Sequence, residues 1–170
     1  MKRLMILCLM TVASFAQASV RDEALNLLQG YEWELNEAQV QALGAAGKSA
    51  LLDIAGDPSL AGFIRERAAA SLSAFADDEV RKFYLDRLET TVSPTIRRRT
   101  VEALCETWDA TSLESTLIPM LKSDDTRLKV IVANCLQSVD SDAARAALAE
   151  YRISIRDSWE LNAAGFRKVN

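Results

Sequence analysis

Ile-Arg-Glu-Arg-Ala-Ala-Ala-Ser-Leu, at residues 64–72, decides the fold, because related stretches return at 96–104 and at 128–136. Each copy starts 32 residues after the previous one, opens with an aliphatic residue followed by a cation, and closes on a leucine. Small or branched residues recur at the same inner offsets. A repeat at this interval predicts a solenoid of stacked helix pairs, since one pair cannot bury its apolar face alone.

The motif resembles the second helix, or B-helix, of HEAT and HEAT-like (PBS-lyase-type) repeats, whose pattern is approximately Val-Arg-x-x-Ala-Ala-x-Ala-Leu. The copies read IRERAAASL, IRRRTVEAL and LKVIVANCL, so the third departs from the pattern with Lys129 in place of arginine. The resemblance implies an all-α protein, a right-handed α-α superhelix of about four helix pairs. It implies little about activity, because such repeats serve scaffolds, adaptors, bilin lyases and some DNA glycosylases.

The rest of the chain is organised around this array. We predict N-terminal capping helices at 19–46, three regular repeats at 47–140 and a C-terminal capping repeat at 141–170. Gly44 is expected to end the capping helices, and Pro119 to kink a helix that starts at Thr111 or Ser112. Connections are short and no low-complexity run interrupts them, which favours a single domain.

Residues 1–18 have the pattern of a signal peptide. Lys2 and Arg3 precede an apolar run at 4–12, and Ala16-Gln17-Ala18 has the small-x-small form that signal peptidase recognises. We predict cleavage after Ala18 and a mature chain in the periplasm or outside the cell, not inserted in the membrane. The alternative is an uncleaved N-terminal anchor or a buried helix.

The composition narrows the classes of function. The chain carries 20 Lys and Arg against 24 Asp and Glu, and without Lys2 and Arg3 the cations fall to 18, which leaves a net charge of −6. An acidic protein is a poor candidate for binding nucleic acid, where phosphate neutralisation supplies most of the affinity. The chain has no histidine, so the commonest general base and zinc ligand are missing. We therefore expect a protein that is not an enzyme and has no metal or cofactor.

Two cysteines remain after the signal peptide, Cys105 and Cys135, in a compartment where disulfides persist. They lie on opposite flanks of the buried stripes of the second and third B-helices, which would face each other in a right-handed stack. They are a candidate disulfide. The alternative is two unpaired thiols.

The charged clusters have structural interpretations. Asp77-Asp78 and Asp124-Asp125 each stand just before a helix, where carboxylates cap backbone N–H groups. Arg65, Arg97 and Lys129 recur at one offset of the motif, and in HEAT-like repeats such a ladder of cations packs against acidic loops. Arg98 lies on the outward face instead.

The outward surface of the B-helices is the candidate binding face, a concave groove for a protein or peptide partner. Its predicted residues come from all three copies of the motif and are mixed in charge and mostly small: Glu66, Ala70, Ser73, Arg98, Glu102, Val130, Asn134 and Gln137.

The leading hypothesis is a non-catalytic protein-interaction module or scaffold. A second is a structural subunit of an envelope assembly, in which Tyr31, Trp33, Trp159 and Phe166 would be the aromatic contacts. A third, less favoured, is a HEAT-like lyase-type enzyme that uses outward carboxylates such as Glu66 or Glu102.

Overall fold

The computed structural model describes residues 20–166, and every regular element in that range is a helix. The all-α prediction is therefore confirmed for the described part of the chain. The predicted signal peptide and its cleavage site lie outside the described residues. The described residues form two compact units, which are divided between residues 80 and 81 of the chain.

The described part of the first unit begins with helix α1 at 20–27 and α2 at Glu37–Ala42. Helix α3 (Gly44–Gly56) then packs against α4 (Gly62–Ser71), which continues into a 3-10 turn at Leu72–Phe75. Apolar side chains fill the space between these helices. The most completely buried of them are Ala24, Leu28, Leu51, Ile54, Ala68 and Leu72.

The second unit contains most of α5 (Asp78–Thr90), followed by α6 (Pro94–Thr107). Three short segments follow: a 3-10 turn at Ala110–Leu113, helix α7 at Glu114–Leu117 and a 3-10 turn at Ile118–Lys122. Helix α8 (Thr126–Leu136) packs against α6, and α9 (Asp142–Ser154) and α10 (Ser158–Ala163) complete the described chain.

The three copies of the motif form most of α4, α6 and α8, and they bury the same offsets. Ile64 and Leu128 are buried and Ile96 is half-buried at the first offset. At the fifth, sixth and ninth positions of the motif every residue is buried: Ala68, Thr100 and Val132; Ala69, Val101 and Ala133; Leu72, Leu104 and Leu136. The sequence repeat is thus also a repeat of the buried helix face.

Side-chain caps start most of these helices. Asn36, Ser93, Ser141 and Asp157 each accept a hydrogen bond from a backbone N–H in the first turn that follows. Asp125 accepts from the amides of Arg127 and Leu128, and Asp77 accepts from that of Val80 at 3.0 Å. These bonds confirm Asp77 and Asp125 as helix caps.

Gly44 and Pro119 mark two boundaries in the structure. Gly44 follows the end of α2 at Ala42 and its cap at Leu43, as expected, and its φ of 63°, a left-handed conformation, lets α3 begin immediately afterwards. The helix expected to kink at Pro119 is three separate short segments. Since proline has no N–H to donate within an α-helix, the chain tightens there into a 3-10 turn.

Candidate functional site

In the first unit, the rings of Trp33 and Phe63 pack against Arg67, and the exposed Tyr31 lies two residues before Trp33; we call these four residues the α4 surface. The guanidinium carbon of Arg67 lies 5.4 Å from the centre of the Trp33 ring and 5.1 Å from that of Phe63. Both distances are within the range of a cation–π contact. The arginine thus holds the two rings in place.

Hydrogen bonds fix the backbone beneath these rings. Arg67 Nη1 donates to the carbonyls of Leu28, at 2.8 Å, and Gly30, at 3.0 Å, and Trp33 Nε1 donates to the carbonyl of Leu27 at 3.0 Å. Gly30 has a φ of 107°, a backbone conformation that residues other than glycine rarely adopt. The turn directs the next residue, Tyr31, away from the unit.

The α4 surface is open to solvent in spite of its apolar content. The Tyr31 side chain is 101% exposed and that of Phe63 is 58% exposed, whereas Trp33 and Arg67 are half-buried. A fully exposed tyrosine on a hydrogen-bonded turn keeps both ring faces accessible. Aromatic residues and arginine are the types most enriched at the energetic centres of protein interfaces.

The predicted outward residues of the first motif belong to the same face of α4. Residues three and four apart share one side of a helix, so Phe63, Glu66, Arg67 and Ala70 form a continuous stripe. Ala70 is exposed and Glu66 is half-buried. Ser73, in the 3-10 turn that follows, is half-buried and donates to the carbonyl of Ala70 at 2.8 Å.

The charge of this unit is far from balanced. Residues 20–80 contain four Lys and Arg against eleven Asp and Glu, a net charge of −7, whereas residues 81–166 contain twelve against thirteen, a net charge of −1. Glu32, Glu34 and Glu37 are all exposed, and they follow Tyr31 in the sequence within six residues. The acidity of the chain is therefore concentrated in the unit that carries the α4 surface.

Two of the four cations of the first unit pair with acids of the same unit. Arg21 pairs with Asp57 at 3.1 Å, and Lys48 pairs with Asp77 and Glu79, each at 2.6 Å. The hydrogen bonds that Lys48 donates to Asp77 and Glu79 raise the pKa of Lys48 above its usual value, and the bond from Lys48 lowers the pKa of Asp77. Hydrogen bonds from Ser59 lower the pKa of Asp57.

In the second unit, two neighbouring arginines, Arg97 and Arg98, have partners different from those expected. Arg98 Nη1 donates to Asp125 at 2.9 Å, and only 23% of the Arg98 side chain is exposed. Arg97, expected to meet a loop acid, donates instead to the carbonyl of Thr91 at 2.8 Å. The predicted ladder is therefore wrong for Arg97. The one candidate binding cation of the groove, Arg98, already has an acidic partner.

Two further candidate groove residues are also bonded within the unit. Asn134 donates to the carbonyl of Ala163 at 3.1 Å, and Gln137 donates to that of Ala164 at 2.6 Å. Both carbonyls stand at the end of α10, so that helix occupies part of the outward face of α8. The other two predicted groove residues of the second unit differ in exposure, since Glu102 is exposed and Val130 is half-buried.

Lys129, Tyr151 and Glu160 form a paired polar cluster in the second unit. Glu160 Oε1 accepts from the Tyr151 hydroxyl at 2.9 Å and lies 3.2 Å from Lys129 Nζ, which stands 5.6 Å from the centre of the Tyr151 ring. Burial, and the hydrogen bond to Glu160, raise the pKa of Tyr151 well above its ordinary value of 10.0. Lys129 thus pairs with a helix residue and not with the loop acid that the sequence predicted.

Lys129 and Tyr151 line a cavity of about 380 Å³, which we call the C-terminal cavity. Its apolar wall includes Ile118, Leu121 and Ala147, and an exposed ion pair between Lys122 and Glu150 lies on its rim. Its volume falls within the range of small-molecule pockets. Lys129 and Tyr151 are paired with Glu160, and Lys122 is paired with Glu150, so these charged and polar groups at the cavity have partners within the unit.

Cys105 of α6 and Cys135 of α8 are joined by a disulfide in the structure, with their Cα atoms 5.9 Å apart. Both residues are half-buried, beside the buried leucines that close the second and third motifs. The bond therefore ties the two helices together at the edge of their shared core.

The four aromatic residues proposed for assembly contacts have different surroundings. Tyr31 and Trp159 are exposed, at 101% and 52%, whereas Trp33 and Phe166 are half-buried. The Phe166 ring packs edge-on against Tyr151, with the ring centres 5.9 Å apart.

Phe63 and Arg67 are candidate binding residues that were not predicted from the sequence. The signal was present, because Phe63 lies three and seven residues before the predicted outward residues Glu66 and Ala70, and so shares their helix face. The enclosure of Arg67 by two rings depends on where residues 31–33 fold, which no local pattern gives.

No family model, curated protein or solved structure matches the chain. Within residues 20–166, no helix combines the length and apolar character needed to cross a bilayer. The same part of the chain contains no group of three or more histidine, cysteine, aspartate or glutamate residues placed to hold a metal ion.

Proposed function

We propose that this chain is an exported HEAT-like repeat protein that acts as a non-catalytic protein-interaction module, and that it binds its partner through the outward face of α4. The observation that carries the proposal is the α4 surface, in which a hydrogen-bonded arginine stacks on the exposed ring of Phe63 and the half-buried ring of Trp33, next to the exposed Tyr31. Rigid aromatic side chains lose little entropy on binding, which favours them as anchors for a protein partner.

The repeat assignment is supported by the burial pattern. Three motifs with one spacing in sequence bury the same offsets in α4, α6 and α8. We propose that these helices are the B-helices of a right-handed α-α superhelix, as the resemblance implies.

Export is supported by the disulfide as well as by the signal-peptide pattern. A bond between Cys105 and Cys135 persists in an oxidising compartment and is rare in the cytosol. The proposed location is the periplasm or the extracellular space.

Site-specific photo-crosslinking tests the binding face. A photoreactive phenylalanine analogue at Phe63 or Tyr31 is expected to crosslink one recurrent partner in the native envelope fraction. The same analogue at Ile153, an 86% exposed residue of the second unit, is the matched control. Equal crosslinking from all three positions, or none from residues 31 and 63, would remove the support for this face.

A structural role in an envelope assembly is the second candidate, and a specific observation favours it. Ile153 and Trp159 are exposed apolar residues at the C-terminal end of the second unit, at 86% and 52%. If this role is correct, crosslinks form at Ile153 and Trp159 in place of residues 31 and 63, and Trp159→Glu abolishes assembly while the protein remains folded.

A further inference from the structure

We propose that the partner segment taken by the α4 surface is cationic, a stretch of polypeptide rich in lysine and arginine. This inference rests on the proposed function and specifies the chemistry of the partner. It combines two independent features of the first unit: exposed aromatic ring faces and an excess of exposed carboxylates around them.

The ring faces provide the first argument. The negative face of an aromatic ring attracts ammonium and guanidinium groups, and Arg67 already uses the rings of Trp33 and Phe63 in this way. The Tyr31 ring is 101% exposed, so a partner can reach either of its faces. A lysine or arginine side chain can also lay its aliphatic stem along Phe63 while its charged end stays in solvent.

The charge of the unit provides the second argument. Residues 20–80 have a net charge of −7, and the exposed carboxylates of Glu32 and Glu34 are adjacent in sequence to Tyr31 and Trp33. Two of the four cations of the unit pair with acids elsewhere, Arg21 with Asp57 and Lys48 with Asp77, and Arg67 is the cation that lies within the surface itself. An approaching cationic segment is attracted before contact, and an anionic one is repelled.

Three fluorescent peptides of equal length test the inference. Each is built on a Gly-Leu-Xaa repeat in which Xaa is Lys, Gln or Glu, so that only the charge changes. Fluorescence anisotropy with the purified protein is expected to show binding of the Lys peptide, weaker binding of the Gln peptide and none of the Glu peptide. Affinity for the Lys peptide should fall as salt is raised from about 0.05 to about 0.5 M, because exposed charges are then screened.

Variants locate the interaction. The double variant Glu32→Gln/Glu34→Gln should bind the Lys peptide roughly threefold more weakly for each carboxylate removed. Tyr31→Ala/Phe63→Ala should weaken it by about tenfold or more. Glu89→Gln/Glu106→Gln, which removes two exposed carboxylates of the second unit, is the matched charge control, and Val92→Ala is the apolar control. Both controls should leave the affinity unchanged.

The outcomes separate the two proposals. If Lys and Gln peptides bind equally, and Tyr31→Ala/Phe63→Ala weakens both, the cationic partner is wrong although the binding face stands. If the Lys peptide binds the aromatic variant as well as it binds the native protein, its binding is general attraction to an acidic surface and the inference fails. Absence of Lys-peptide binding also overturns it, and crosslinking at residue 63 then decides the proposed function separately.

Discussion

Removing the disulfide should destabilise the second unit by an amount that can be worked out from the position of the two cysteines. Cys105 and Cys135 are 30 residues apart. Closing a loop of that size removes conformational entropy from the unfolded chain worth about 3.6 kcal/mol at 25 °C. Both residues are half-buried, so replacing them with alanine leaves little new cavity.

Urea unfolding, followed by circular dichroism, measures the effect on the native protein, the native protein with reductant, and the variant Cys105→Ala/Cys135→Ala. The two samples without the bond should agree with each other, and their midpoints should be lower by more than about 1 M urea. The variant without reductant isolates the bond from other effects of the reducing agent.

Two results would refute this reasoning. One is a free energy of unfolding that differs by less than about 1 kcal/mol between the native protein and the variant. The other is alkylation of two thiols in the native protein without reductant, since a disulfide leaves neither sulfur free to react. The alkylated product is identified by its intact mass.

Three other perturbations have defined outcomes. Glu160→Gln removes the charge that faces the half-buried Lys129, and should cost about 1–2 kcal/mol of unfolding free energy in urea. Asp125→Ala removes both the cap of α8 and the acidic partner of Arg98, and should cost about 1–2 kcal/mol in the same assay. For Asp77, the folded pKa is depressed, so its stabilisation is present above the ordinary aspartate pKa of 3.8 and is lost as pH falls through the depressed pKa. Asp77→Asn should therefore flatten the decline of the thermal midpoint below about pH 4.

Each of these has its own control. Glu150→Gln breaks an exposed pair with Lys122 and should change stability by less than about 0.5 kcal/mol. If Glu150→Gln lowered the free energy of unfolding as much as Glu160→Gln, burial would not be what makes the Lys129–Glu160 pair stabilising. Asp124→Ala, beside the cap, should be nearly neutral, and equal losses from residues 124 and 125 would argue against capping. An unchanged acid profile in Asp77→Asn would show that other carboxylates determine it.

The helices were predictable from sequence because the motif combines a period with local signals. The buried offsets repeat every 32 residues, and Asn36, Ser93 and Asp125 stand where caps are expected. Such features depend on neighbours within one or two turns, so they survive folding largely unchanged.

The candidate site depended on contacts that the sequence cannot give. Arg97 and Arg98 are adjacent, and which of them meets Asp125 depends on the path of the loop before α8. Asn134 and Gln137 looked free because nothing local places α10 beside them. The charge asymmetry, by contrast, was readable from the sequence, but its significance required the boundary between the two units.

The bonds from Asn134 and Gln137 also bear on how the end of the described chain moves. Helix α10 has six residues, fewer than an isolated helix needs to persist in water. Its structure therefore depends on α8, through these two amides and the pair between Lys129 and Glu160. We expect the backbone amides of α10 to exchange with deuterium together, as one cooperative opening, and before those of α8. Release of α10 would uncover the outward face of α8 in the same event.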